Sequence, residues 1–340
     1  MTASRRKVVW IFGVWLLVGV AVVFLRGLPT SPLERAQRAL ATGRLAVARR
    51  EFLEHLRTQP RDWAIRIQLA ELLKSTSAEE ALKQLRLVPP DAPEFVTATR
   101  HIAHIYLSTS REVDAEPSLL VLLHAEPEDH GVQLSLAELY HRTRRPKLAL
   151  PRAVKASQLR PDRAETYLLL AEIHDDLLRP MDMVAPLRRA LEIQPDLFAA
   201  HLNLCYALTW TGRWDEARAE ARWILERDPE NAAAHRFLAL CARGDGDRDT
   251  AWREIRESLR LSPDDFDSRI MEAELLLFDR QANEAYERLR PLREKRPTDC
   301  RILGLLSRAA SASGKRDEAR SLAQEMSRLA EESQRREPSP

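Results

Sequence analysis

His101 and His104 stand three residues apart on one prospective helix face, and His141 falls on a later one. Imidazoles at that spacing are where a metal centre would begin, but an ion needs three or four ligands converging at about 2 Å. Two neighbouring turns and a separate helix do not supply that convergence, so these histidines read as separate surface groups. His174 falls at a packing position. Cys205, Cys241 and Cys300 have no CxxC spacing, and an odd number cannot be fully paired. They read as small buried hydrophobes. No glycine-rich phosphate loop, HExxH, GxSxG or EF-hand loop occurs. The expectation is no catalytic residue, no metal and no cofactor: a chain that is not an enzyme.

The chemistry that remains is recognition. Asn203, Tyr206 and Trp210 lie at helical spacing, and Arg236, Phe237 and Arg243 occupy a matching stretch further on. Tyr and Trp supply contact area at low entropy cost, while Arg and Asn supply hydrogen bonds; such groups anchor most interfaces. These six are the candidate partner-binding residues, for a protein or peptide. Tyr206 and Phe237 have a second reading, in which they pack between adjacent helices, and Trp210 lies near a turn where it could cap the local core. An acidic stretch (Glu165, Glu172, Asp175, Asp176) precedes them, and Arg100, Glu138, Arg142, Glu274 and Phe278 fall on the same prospective face.

A period places these residues. Pro93, Pro127, Pro161, Pro195, Pro229, Pro263 and Pro297 follow one another at 34 residues, and Pro60 precedes Pro93 by 33. A fixed period of this length marks stacked supersecondary units. Each unit reads as two helices. Residues 198–210 carry Leu202, Leu204, Cys205, Tyr206 and Leu208 at helical spacing, Gly212 breaks the run, and Trp214-Asp215-Glu216-Ala217 starts a second helix. Asp228-Pro229 ends it. Twelve residues before each proline stands an alanine (Ala48, Ala81, Ala115, Ala149, Ala217, Ala251, Ala285), with Met183 the exception. Small residues are needed where two helices approach closely.

These residues resemble the tetratricopeptide repeat, a helix–turn–helix unit; Leu204, Gly212, Trp214, Ala217, Leu225 and Pro229 carry the motif in its best copy, and Tyr106 and Tyr140 fill the family's aromatic slot. The resemblance implies an all-α solenoid, a right-handed superhelix, of nine units: 29–62, 63–95, 96–129, 130–163, 164–197, 198–231, 232–265, 266–299 and 300–333. It also implies that first helices line a concave groove holding the partner. The family's Lys and Asn clamp for a peptide carboxylate is not matched, since Leu33, Gln37, Ile67 and Glu71 occupy those places. Departures are local: unit 63–95 is one residue short, Leu178-Arg179-Pro180 replaces a glycine turn, and Pro291 is expected to kink its helix.

Residues 8–25 are 18 residues without a charge, about 27 Å as a helix, and Arg5, Arg6 and Lys7 precede them. They read as an uncleaved transmembrane helix after a cytoplasmic 1–7, with 26–32 as linker and 334–340 as a disordered tail. The basic cluster favours an exported domain, periplasmic in a bacterium. Formal net charge is only +2, so no nucleic acid is expected. Function then reads as a membrane-anchored scaffold organising an envelope complex in assembly, secretion or biogenesis. The alternatives are an accessory non-catalytic subunit of a membrane enzyme and a glycan-binding solenoid.

Overall fold

The computed structural model describes residues 31–336. Residues 1–7, the apolar 8–25, most of the stretch 26–32 and residues 337–340 lie outside the described residues. No described helix is long and apolar enough to cross a membrane. Eighteen α-helices, and no strand, make up the described chain. It divides into two compact units at Thr143/Arg144. The first holds α1 (Pro32–Ala41), α2 (Leu45–Thr58), α3 (Trp63–Lys74), α4 (Ala78–Leu85), α5 (Phe95–Ser108), α6 (Glu112–Ala125) and α7 (His130–Arg142). The second holds α8 (Pro146–Leu159), α9 (Ala164–Asp176), α10 (Pro180–Ile193), α11 (Phe198–Trp210), α12 (Trp214–Arg227), α13 (Ala232–Gly244), α14 (Arg248–Leu261), α15 (Phe266–Phe278), α16 (Ala282–Lys295), α17 (Cys300–Ala312) and α18 (Arg316–Arg336).

Each turn of the period has a local cause. Two residues after Pro60, Pro127, Pro229, Pro263 and Pro297 stand Asp62, Asp129, Asn231, Asp265 and Asp299, whose side chains accept amides of the helix that follows. The proline ends one helix and the cap starts the next. The other turn, between paired helices, bends at a residue of positive φ: Gly43, Ser110, Arg144, Leu178, Gly212, Gly246, Arg280 and Gly314. The amide after it reaches back five residues, as in Arg111 to Tyr106, Arg179 to His174 and Gln281 to Leu276, at 2.8–2.9 Å. That closes the helix end in the left-handed manner usually given to glycine. Four of the eight positions are not glycine. The missing member is Thr76, where the short unit skips the left-handed step.

The alanine slot of the second helices is buried as expected. Ala48, Ala81, Ala115, Ala149, Ala217, Ala251 and Ala285 have no exposed surface, and Met183 is buried in the same place. Facing it is a second small-residue slot, on the first helices, that the proline and alanine spacing alone does not bring out: Ala36, Ala70, Ala103, Ala137, Ala171, Cys205, Ala239 and Ala273, all buried. Cys205 donates its thiol proton to the Ala217 carbonyl at 3.2 Å, so the two backbones meet at this slot. Burial pushes both the Cys205 and Cys241 thiols up, Cys241 to about 11. Cys300 is a correction: it opens α17 and is exposed.

Other differences are also local. α16 runs through Pro291 without a break, and Pro117, Pro151 and Pro186 sit inside three further second helices. Pro291 is exposed, so the carbonyl it leaves unbonded can face water. α4 stops at Leu85, well short of Pro93, because Pro89 and Pro90 already disfavour helix before them. α18 continues to Arg336, so residues 334–336 are helical rather than tail. Successive first helices meet one another: α3 with α5, and α9, α11, α13, α15 and α17 in turn. No two successive second helices do so among the described residues. In each unit the first helices therefore form the tighter, inner row.

Candidate partner-binding surface

In the second unit, α9, α11, α13, α15 and α17 present one row of side chains. Asn203, Tyr206 and Trp210 recur at three and four residues, so α11 carries them on one face. Trp210 ends α11 and is 65% exposed. Tyr206 is half-buried, and its ring meets Trp210 edge-on with centroids 6.2 Å apart. Its hydroxyl pKa is pushed up to about 12, first by burial and then by the Asp175 carboxylate with which it hydrogen-bonds. Asp175 belongs to α9, so this contact joins two repeats. Asn203 is half-buried beside them.

Phe237 does not belong to this surface. It is 4% exposed and packs in the core with Leu204, Cys205, Leu208, Ala217 and Cys241. The reason is rotation: one step along a helix turns about 100°, so Phe237 enters the core while the half-buried Arg236 turns toward Asp265, which caps α15 of the next repeat. Arg236 lies over the Phe237 ring at 4.9 Å and stands 3.7 Å from Asp265. Arg243 is ion-paired with Glu274 of α15. Glu274 is 3.5 Å from Arg301 of α17, which is 3.2 Å from Asp267. On α9, Asp176 lies 2.8 Å from Arg144. The six candidates thus divide. Asn203, Tyr206 and Trp210 share one face; Arg236 and Arg243 belong to a charge ladder between first helices; Phe237 is core.

With the charges engaging one another, exposed apolar area is what the row has left over. Phe278 ends α15 in the slot that Trp210 fills two repeats earlier, and it is also 65% exposed. Between them the slot holds Gly244, the last residue of α13. A Cβ there would lie 2.5 Å from the Trp214 ring, so that indole occupies the space a side chain would need. Two raised rings therefore flank a low point. With packed helices about 10 Å apart the rings stand about 20 Å from each other, the reach of roughly six extended residues at about 3.3 Å each.

The histidines are dispersed. His101 pairs with Glu71 of the preceding first helix. His174 is half-buried on α9, and burial holds its pKa down although Asp182 is 3.9 Å away. Glu138 of α7 is pushed up by burial, against the opposing pull of Arg142.

Residues 185–241 match a sequence profile of the tetratricopeptide repeat. No curated protein sequence matches the chain. Among solved structures, a tetratricopeptide repeat protein from Parabacteroides merdae is similar at 14% identity and a TM-score of 0.50, covering 82% of this chain and 97% of its own. PilW, a type IV pilus biogenesis factor, is similar at 20% identity and 0.49, covering 63% and 100%. YrrB, described as having an unusual peptide-binding site, follows at 18% and 0.41, covering 64% and 95%. The profile match and the Parabacteroides structure agree with the fold built above, an all-α solenoid similar to tetratricopeptide repeats.

Proposed function

We propose that this solenoid is a membrane-tethered scaffold that holds an extended segment of a protein partner along the first helices of its second unit. One observation carries the reading: Trp210 and Phe278 occupy the same slot two repeats apart, both exposed, on either side of Gly244. Large exposed rings set in a polar surrounding are the usual centres of interface energy. Because Arg243, Glu274, Arg301 and Asp267 already engage one another, the partner needs no compensating charge there. The role is binding rather than turnover. A glycan strand fits less well, since stacking platforms need open ring faces and Tyr206 stands edge-on to Trp210 at 72°.

The tether is residues 8–25, and Arg5, Arg6 and Lys7 assign the solenoid to the far side of the membrane, the periplasm of a bacterium. Tethering raises the partner's effective concentration, so weak contacts suffice to organise an envelope complex. A photo-crosslinking residue placed in cells at position 210 or 278 should capture the same partner. One at Met181 or Arg222, on second helices, should capture none; equal capture at all four positions removes the assignment. A reporter fused after Pro340 should be active only outside the cytoplasm, and cytoplasmic activity reverses the orientation.

A further inference from the structure

Three successive repeats of the second unit can be compared residue by residue, because each position recurs 34 residues on. In the first, His201 pairs with Glu220 across the hairpin, meets the Pro195 carbonyl at 2.9 Å and stacks on Trp223 with centroids 3.5 Å apart. In the second, His235 pairs with Glu254 at 2.8 Å and meets the Pro229 carbonyl at 3.4 Å. In the third, the same two positions hold Arg269 and Arg288, and the position of Trp223 holds Pro291. Arg269 keeps the contact with the loop, its Nε donating to the Pro263 carbonyl at 2.7 Å. The carboxylate that should face it has become a second cation, and the ring that fills the space in the first repeat is absent, as it is at Glu257 of the second.

What results is a cavity of 420 Å³ lined by Asp264, Phe266, Arg269, Arg288, Lys295 and Arg296 beside Pro291. Four cations look onto it with one carboxylate. Asp264 lies 3.8 Å from Lys295. Arg288 leans outward to Glu284 at 3.4 Å and Glu272 at 3.9 Å. Arg296 lies over the Phe266 ring at 3.8 Å. Arg269 and Arg296 form no ion pair among the described residues.

We propose that this cavity binds a phosphate group, either free or as the head of a phospholipid. Two uncompensated guanidiniums call for two negative charges at one point, which a dianionic phosphate supplies and a single carboxylate does not. Planar guanidinium forks also match phosphate oxygens in geometry. The ligand takes the place that Glu220 and Glu254 fill from within the chain in the two preceding repeats. The sites differ in position and chemistry from the aromatic slot, so neither reading depends on the other.

The test is calorimetric titration of the full chain, in neutral detergent at low salt and pH 8, with inorganic phosphate. One saturable site is expected. The double variant Arg269→Gln with Arg296→Ser should weaken it at least tenfold while leaving Tm in place. Both replacements already occur in sister repeats: Gln133 donates to the Pro127 carbonyl at 2.7 Å in the slot of Arg269, and Ser262 fills the slot of Arg296. Removing Arg320 and Arg328 from α18 should leave binding unchanged. Absence of saturable binding, or equal loss in both double variants, overturns the proposal. Adding phosphatidic acid to the micelles separates the sources. A tenfold rise in the apparent Kd for free phosphate assigns the site to a lipid head, and an unmoved Kd assigns it to a soluble phosphate.

Discussion

Replacing Gly244 by alanine should destabilise the second unit by about 2 kcal/mol. In an open helix the same change would stabilise by up to about 1 kcal/mol, because alanine restricts the unfolded chain and favours helix. Here the new Cβ would fall 2.5, 2.7 and 2.8 Å from three atoms at the middle of the Trp214 indole. The ring cannot step aside freely, since it packs on the cluster of Leu204, Cys205, Leu208 and Ala217. Overpacking of this kind costs about 1–3 kcal/mol, and more where a ring must leave a formed core. Gly304 supplies the internal control. It also lies inside a first helix, but its nearest neighbour is the Met326 Sδ at 3.7 Å, an ordinary contact. Gly304→Ala should stabilise by up to about 1 kcal/mol. Urea unfolding followed by tryptophan fluorescence reads both. Opposite signs are expected, and two changes of the same sign would remove the claim that Trp214 reserves the space under Gly244.

Most of the architecture was legible because each periodic residue has one backbone or packing task. Proline can only end a helix there, and a small residue, alanine in every copy but that of Met183, lets two backbones approach closely at the second-helix slot. The facing slot, Ala36 to Ala273, is equally periodic, but only the packing shows that it opposes the first. A turn read through glycine leaves the copies at Ser110, Arg144 and Arg280 hidden: the fold demands the conformation, and the residue only sets its cost. The partner-binding surface was less legible. Neighbours in sequence point about 100° apart, so Arg236 and Phe237 could not share one face, and only packing told which enters the core. Phe278 shares its slot with Trp210, but nothing in spacing says that a ring is exposed. The carbonyl contacts of Arg66, Gln133, His201 and Arg269, each six residues after a proline, are visible as a polar position in an apolar helix. Their purpose needed the geometry.

The four left-handed turns without glycine should yield the largest gain in stability available to this chain. A side chain at positive φ brings its Cβ against the following carbonyl, at about 1–2 kcal/mol per residue. Glycine removes that strain and gives back part of the gain as unfolded-state entropy. The net is about 1 kcal/mol where the side chain does nothing else. Leu178, at φ 57 and 87% exposed, is that case. Ser110 and Arg280 are exposed at φ 56 and 59 and should follow it. Arg144 should gain least, since its glycine loses the ion pair with Asp176 at 2.8 Å, a surface contact that contributes about 0–1 kcal/mol. The sites are a repeat or more apart, so their effects should add, to about 3 kcal/mol for the four together. Two controls fix the cause. Gly43 has φ 69, and a Cβ added there would meet no atom within 4 Å, so Gly43→Ala should lose about 1 kcal/mol through the backbone alone. Thr76, in the one turn of the series that is not left-handed, donates to the Leu73 carbonyl at 3.1 Å, and Thr76→Gly should destabilise. If glycine helps at Thr76 as much as at Leu178, the gain comes from something other than relief of the left-handed step.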